Sequence, residues 1–307
     1  MCHSVRAFNC QTGPSRNNLG NLLTDLGQGA AAEEQYRKGL AIQEKLAADF
    51  PAVPAYRQEL ALSYTNLGKL LAGLSKGAAA EEYIRKALAI QEKLAADFPA
   101  VFEYQLDLGG SYCNLGKWIR RKGGDLAESL KWLDRAIDCL QAVHEKEPRD
   151  VTAKQYLRNS HEGRALTFER LQKFAEAVKD WDRVIALSPP AKQPGYRASR
   201  AMSRLNAGMV AEAVAEVAEL TKSPNWEASA WCDFACVYAV ASGEIADKKA
   251  EYADRAMEFL QKAVKAGYKD AALLKKDTDF DPLRDRADFK TLLADLEKEF
   301  PQPPEKK

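Results

Sequence analysis

From Tyr56 to Ala72 the apolar residues Leu60, Tyr64, Leu67 and Leu71 recur at spacings of three and four, the pattern of a helix with one buried face. Ser75-Lys76-Gly77 interrupts that pattern. A second helical pattern then runs from about Ala78 to Asp97, with Ile84, Ala87, Leu88, Gln91 and Leu94 along one side. Glu81/Arg85 and Glu82/Lys86 are spaced i,i+4 and lightly support it. Phe98-Pro99 ends it, because a proline disfavours helical geometry in the residue before it. The unit this predicts is a pair of helices, and no strand-type alternation competes with it.

The unit repeats. Asn-Leu-Gly stands at 18–20, 66–68 and 114–116, each 48 residues from the next, and LAIQEKLAADFPAV begins at both Leu40 and Leu88. Residues 18–53 and 66–101 agree at 28 of 36 positions. A fixed period in this range predicts a solenoid of stacked helical units. Six pairs are expected, at roughly 15–49, 54–97, 103–146, 150–187, 194–221 and 226–266, the last with an insertion around 243–249. Gly68 lies inside a helix, where glycine costs about 1 kcal/mol relative to alanine. Its return every 48 residues implies that the partner helix crosses close to the backbone there.

These residues resemble the tetratricopeptide repeat (TPR) family. Leu67-Gly68, Leu71, Leu74, Ala80 and Ala87 fit its pattern in the second unit, as do Ala165, Phe168, Leu171, Phe174, Ala177, Trp181 and Pro189 in the fourth. Trp231, Phe234, Ala235 and Tyr238 fit the first-helix positions of the last. Gly163-Arg164-Ala165 and Ser199-Arg200-Ala201 resemble an Arg-bearing subtype with Ala at the crossing point. The resemblance implies an all-α, right-handed α-solenoid of about six TPR helix pairs. Long repeats of 48-residue period fill 15–146 and shorter ones, near the usual ~34 residues, fill 147–266. A C-terminal helical capping segment occupies 267–300, with Phe289, Leu292, Leu293 and Leu296 turned inward and Phe280 and Leu283 as further anchors. The tail 301–307 is too polar and Pro-rich to fold. At the start, Pro14 is expected to break the first helix. Either that helix begins near Ser15 or residues 1–14 lie outside the array. The long repeats and the DTDFDPLRDRADF ending together resemble the TPR regions of planctomycete serine/threonine kinases.

Charge and composition narrow the function. With 45 Lys+Arg against 44 Asp+Glu, the chain lacks the basic excess of a protein that holds nucleic acid by bulk electrostatics. Lys117, Arg120, Arg121 and Lys122 are the only cluster pointing to RNA, without the interleaved surface aromatics that such binding uses. No apolar run reaches the ~20 residues of a membrane span and no signal-peptide core opens the chain, so a cytoplasmic location without membrane contact is expected. The six cysteines have no framework spacing and read as free thiols.

Candidate chemistry is sparse. The Gly-rich loop, HRD-type loop and DFG metal site of a kinase are missing from the sequence, as are G-x-S-x-G and HExxH, so no enzymatic activity is expected. Asp277, Asp279 and Asp281 open like a calcium loop, but Pro282 stands where Gly is needed and Asp288 where Glu is needed. Cys232 and Cys236 are four apart on one helix, yet no second Cys/His pair lies near them in sequence to complete a zinc set. The aspartates read as turn and cap residues and the cysteines as small packing residues, with no metal or cofactor assigned.

What remains is a surface. In TPR arrays the first helices line a groove. The exposed positions flanking each Leu-Gly pair are here Asn18, Asn66 and Asn114, then Asn21, Lys69 and Lys117, with Arg120 and Arg121 one turn on. Asparagines can donate to and accept from an extended peptide backbone, and the cations suit carboxylates or phosphates. The competing reading has the asparagines bonding between repeats and the cations merely solvated. The expectation is a non-enzymatic scaffold that holds a protein or peptide segment, acidic or phosphorylated, in the groove. The alternative is a detached C-terminal regulatory or docking region of a bacterial serine/threonine kinase. Oligomeric state is not encoded in any visible way.

Overall fold

The computed structural model describes residues 13–300, and every regular element among them is helical. The chain divides into two compact units, Met1–Thr167 and Phe168–Lys307.

In the first unit, α1 (Gly13–Asp25) pairs with α2 (Gly29–Asp49), α3 (Pro54–Gly73) with α4 (Gly77–Asp97), and α5 (Phe102–Arg121) with α6 (Leu126–Lys146). The helix α7 (Val151–Arg170) follows. Among the described residues α1 starts at Gly13, close to the expected start near Ser15, with Pro14 in its first turn, where a missing N–H costs nothing. The rest of the N-terminal segment and the tail after Phe300 lie outside the described residues.

The periodic glycines are where the pairs touch. A Cβ on Gly20 would lie 2.6 Å from the Tyr36 ring, on Gly68 2.9 Å from Ile84 Cγ1, and on Gly116 2.7 Å from Leu133 Cγ. At Gly116 the Ser129 carbonyl would also stand 3.1 Å away, so this crossing brings backbone against backbone. Leu67, Leu71, Leu94, Leu115, Ile119, Leu133 and Leu140 fill the interior.

Between successive pairs run both ring contacts, Phe50 on Tyr56 and Phe98 on Tyr104, and polar ones. Asn17 Nδ2 donates to Ser63 Oγ at 2.6 Å, and Ser63 donates in turn to Gln43, all three buried. Tyr64 and Tyr112, 48 residues apart, donate to Glu44 at 2.7 Å and Glu92 at 2.9 Å. Each ring stacks on a neighbour, Tyr64 on Tyr83 and Tyr112 on Trp132. Lys76–Glu33 and Lys122–Glu81, both 2.7 Å, tie each pair to the one before. Ion pairs this exposed contribute about 0–1 kcal/mol each, so the interior rather than the charges holds the unit together.

In the second unit, α8 (Phe174–Ala186), α9 (Gln193–Asn206) and α10 (Val210–Leu220) precede the pair α11 (Ala228–Glu244) and α12 (Lys249–Lys265). A short helix α13 (Ala271–Lys276), a 3-10 segment Thr278–Leu283 and α14 (Ala287–Glu299) close the chain's described part. Trp231, Phe234, Tyr238 and Phe259 form an aromatic cluster, with Trp226 edge-on to Phe234 at 5.0 Å. Phe280 and Leu283 are fully buried, Phe289 and Leu296 nearly so, and Leu292 packs against the same core, while Lys290, Asp295, Glu297 and Lys298 face water. The terminal segment is the cap expected of a solenoid end, which hides the apolar face of the last repeat. On α10 the buried Glu216 is held by three arginines of α9: Arg200, Arg197 and Arg204 at 2.5, 2.9 and 2.9 Å. Burial alone would raise its pKa, but these guanidiniums outweigh that and hold it below the ordinary carboxylate range.

Candidate peptide groove

Two grooves open between successive first helices of the first unit. The first, about 550 Å³, is lined by Asn21 and Thr24 of α1, Tyr36 of α2, and Asn66, Lys69 and Leu70 of α3. The second, about 600 Å³, is lined by Lys69 and Ala72 of α3, Ile84 of α4, and Asn114, Lys117, Trp118 and Arg121 of α5. Lys69 belongs to both, so the grooves run on from one another through that side chain.

The eight sequence-predicted residues divide. Asn21, Asn66, Lys69, Asn114, Lys117 and Arg121 line the grooves, whereas Asn18 and Arg120 line neither. Asn18 is exposed, while its neighbour Asn17 is the buried one that reaches the next pair through Ser63. Asn21 is partly committed within its own pair, accepting from the Tyr36 hydroxyl at 2.6 Å. The bond between repeats is thus made by Asn17, and the bond of Asn21 stays inside its own repeat.

The cations differ in what already engages them. Lys122 lies 3.9 Å above the Trp118 ring and is paired with Glu81. Lys69, Lys117 and Arg121 make no ion pair within 4.0 Å among the described residues. Loss of surrounding water pulls the Lys69 pKa down, and the Cys113 thiol and the Asp107 carboxylate only partly offset this. Asp107 is itself raised by burial and accepts from Gln58 Nε2 at 3.0 Å. The groove lining thus combines Lys69, Lys117 and Arg121 with the amides Asn66 and Asn114, over the buried Trp118 and Ile84.

Comparison with known proteins bears on the same helices. The family model for the tetratricopeptide repeat matches residues 15–52 and 60–100. Those two stretches are tetratricopeptide repeats. No curated protein sequence matches the chain. Among similar solved structures is a Podosopora anserina putative kinesin light chain with nearly identical TPR-like repeats, at 20% identity and TM-score 0.50, covering 72% of this chain and 96% of that one. BtubC (BKLC) from P. vanneervenii matches at 16% identity and TM-score 0.52, over 77% and 91%. Pseudomonas aeruginosa pilF matches at 16% and 0.50, over 92% and 97%. At such identities the likeness is one of fold. None of the helices described is long and apolar enough to cross a membrane.

Beyond the tetratricopeptide repeats of the first unit, the structure joins two groups that the sequence reading treats separately. In the second unit Cys236 of α11 meets Asp277 and Asp279 at the start of the 3-10 segment, and their ligand-capable atoms all lie within 4.8 Å of one another. Forty-one residues separate Cys236 from Asp277, and no local spacing rule could have found the juxtaposition.

Proposed function

We propose that the protein is an interaction scaffold that holds an acidic, extended protein segment along the grooves of its first unit. A tetratricopeptide-repeat array is typically such a scaffold. The observation that carries the acidic preference is the set of three unpaired cations, Lys69, Lys117 and Arg121, aligned along α3 and α5 beside Asn66 and Asn114. The amides hold backbone and the cations hold carboxylates or phosphates.

The test is a selection from a displayed random-peptide library against the full chain. Enriched peptides should be rich in Asp and Glu. An amine-reactive cross-linker should join them to Lys69 or Lys117. Enrichment of neutral or basic peptides, or cross-links confined to other lysines, would reject the assignment.

A further inference from the structure

We propose that Cys236, Asp277 and Asp279, with Cys232 as fourth ligand, form a binding site for a thiophilic divalent cation of the zinc class that pins the cap to the last helix pair. Cys232 and Cys236 are one turn apart on α11 and share a face, and both are more than nine-tenths buried. Asp277 is fixed by the role it plays in its own segment. Its Oδ1 accepts from the Asp279 N–H at 3.0 Å, while Oδ2 stands 4.0 Å from Cys236 Sγ. That gap is longer than a firm hydrogen bond. A tetrahedral zinc, with Zn–S near 2.3 Å and Zn–O near 2.1 Å, spans about 3.6 Å between the two ligand atoms, so a shift of a few tenths of an ångström admits it.

The supports of the site are rigid. The fully buried Phe280 and Leu283 anchor the aspartate segment, and Arg284 Nη2 donates to the Asp277 carbonyl at 3.0 Å. The Tyr268 hydroxyl, sealed from solvent, bonds to Cys232, and it would keep that place beside a metal-bound thiolate. The donor set selects the metal: thiolates favour zinc and its neighbours, whereas calcium takes six to eight oxygens and would be poorly served.

The test uses the full chain, stripped with a chelator and titrated first with Co2+ and then with Zn2+. Cobalt should give a thiolate-to-metal charge-transfer band and intense tetrahedral d–d bands, and zinc should displace it. C236S should abolish the charge-transfer band or sharply reduce it, and weaken zinc at least about 100-fold, since even outer-shell partners are worth 10–100-fold. D277N should weaken zinc by at least about 10-fold, with its amide oxygen still able to accept from Asp279 N–H. If C236S loses its helical circular dichroism, D277N carries the test. Calcium should not bind in competition. A cobalt spectrum without a thiolate band, or zinc held equally by wild type and a folded C236S or D277N, would overturn the site and place any binding on other groups, such as Cys2, His3 and Cys10 of the N-terminal sequence.

Discussion

The two units solve the same problem, how one helix pair recognises the next, with different chemistry. In the first unit the answer is written once and copied: Tyr64–Glu44 reappears 48 residues on as Tyr112–Glu92, and the crossing at Gly20 recurs at Gly68 and Gly116. In the second unit nothing is copied. Trp231, Phe234, Tyr238, Phe259, Phe280 and Phe289 each occupy a place of their own, and the buried Glu216 gathers Arg197, Arg200 and Arg204. A copied interface keeps its outward residues in register, which is how Lys69 and Lys117 come to stand at equivalent positions in adjoining grooves. An aromatic interface gives up that register for a core of its own. The lesson is that the repetitive unit keeps equivalent residues in register and the irregular one buries a core of its own.

Disrupting the irregular unit should be the most damaging change. Phe280→Ala removes a fully buried ring from the cap and should cost about 3–5 kcal/mol, read as a lower denaturant midpoint by tryptophan fluorescence. Removing residues 277–307 altogether should fray α11 and α12 and promote aggregation while α1–α6 keep their helical signal. A truncated chain as stable as the parent would mean that the aromatic cluster closes without its cap.

Glu216→Ala comes next, at about 3 kcal/mol, because it leaves three guanidiniums facing a hole. The pH dependence follows from the lowered pKa. The pair's contribution is complete above the unfolded carboxylate pKa of about 4.3 and is lost as pH falls through the lower folded value. The parent chain should therefore lose stability below about pH 4 faster than Glu216→Ala does, which a melting series at several pH values would show.

The copied interface should tolerate change better. Gly116→Ala forces a methyl against Leu133 and the Ser129 carbonyl, which costs about 1–3 kcal/mol, while the helix gains about 1 kcal/mol from losing a glycine. The net should be a destabilisation of about 1 kcal/mol or slightly more. Tyr112→Phe removes the hydroxyl that donates to Glu92 and accepts from Arg135, at about 1 kcal/mol. If it costs as much as Phe280→Ala, the contrast between the units fails.

The same contrast explains what could be read from the sequence. A 48-residue period repeats every element boundary, so Leu60, Tyr64, Leu67 and Leu71 locate α3 and, by translation, α5. The crossing glycines were legible for the same reason, as each one contradicts helix propensity at a regular interval. Pro14 placed the start of α1 near Ser15, and the described helix starts at Gly13, because a first turn tolerates proline. Asn17 was passed over for Asn18 because both are asparagines one residue apart, and a helix turns about 100° between them. In the second unit the inward positions Phe280, Leu283, Phe289 and Leu296 were legible, but two polar contacts were out of reach for a different reason. Cys236 and Asp277 meet through a 3-10 segment whose path no periodicity predicts, and Glu216 finds its arginines across two helices of unrelated sequence.

The central claim is that the register of the copied unit presents Lys69, Lys117 and Arg121 to one acidic segment. It is tested most directly by measuring the affinity of a library-selected acidic peptide for the parent chain and for K69E/K117E/R121E. Three charge-assisted contacts at about 1 kcal/mol or more each predict a loss of at least about a hundredfold. The melting curve should stay within about 1.5 kcal/mol of the parent, since surface changes rarely exceed about 0.5 kcal/mol each. Equal affinity for the parent and a folded triple variant would contradict the claim.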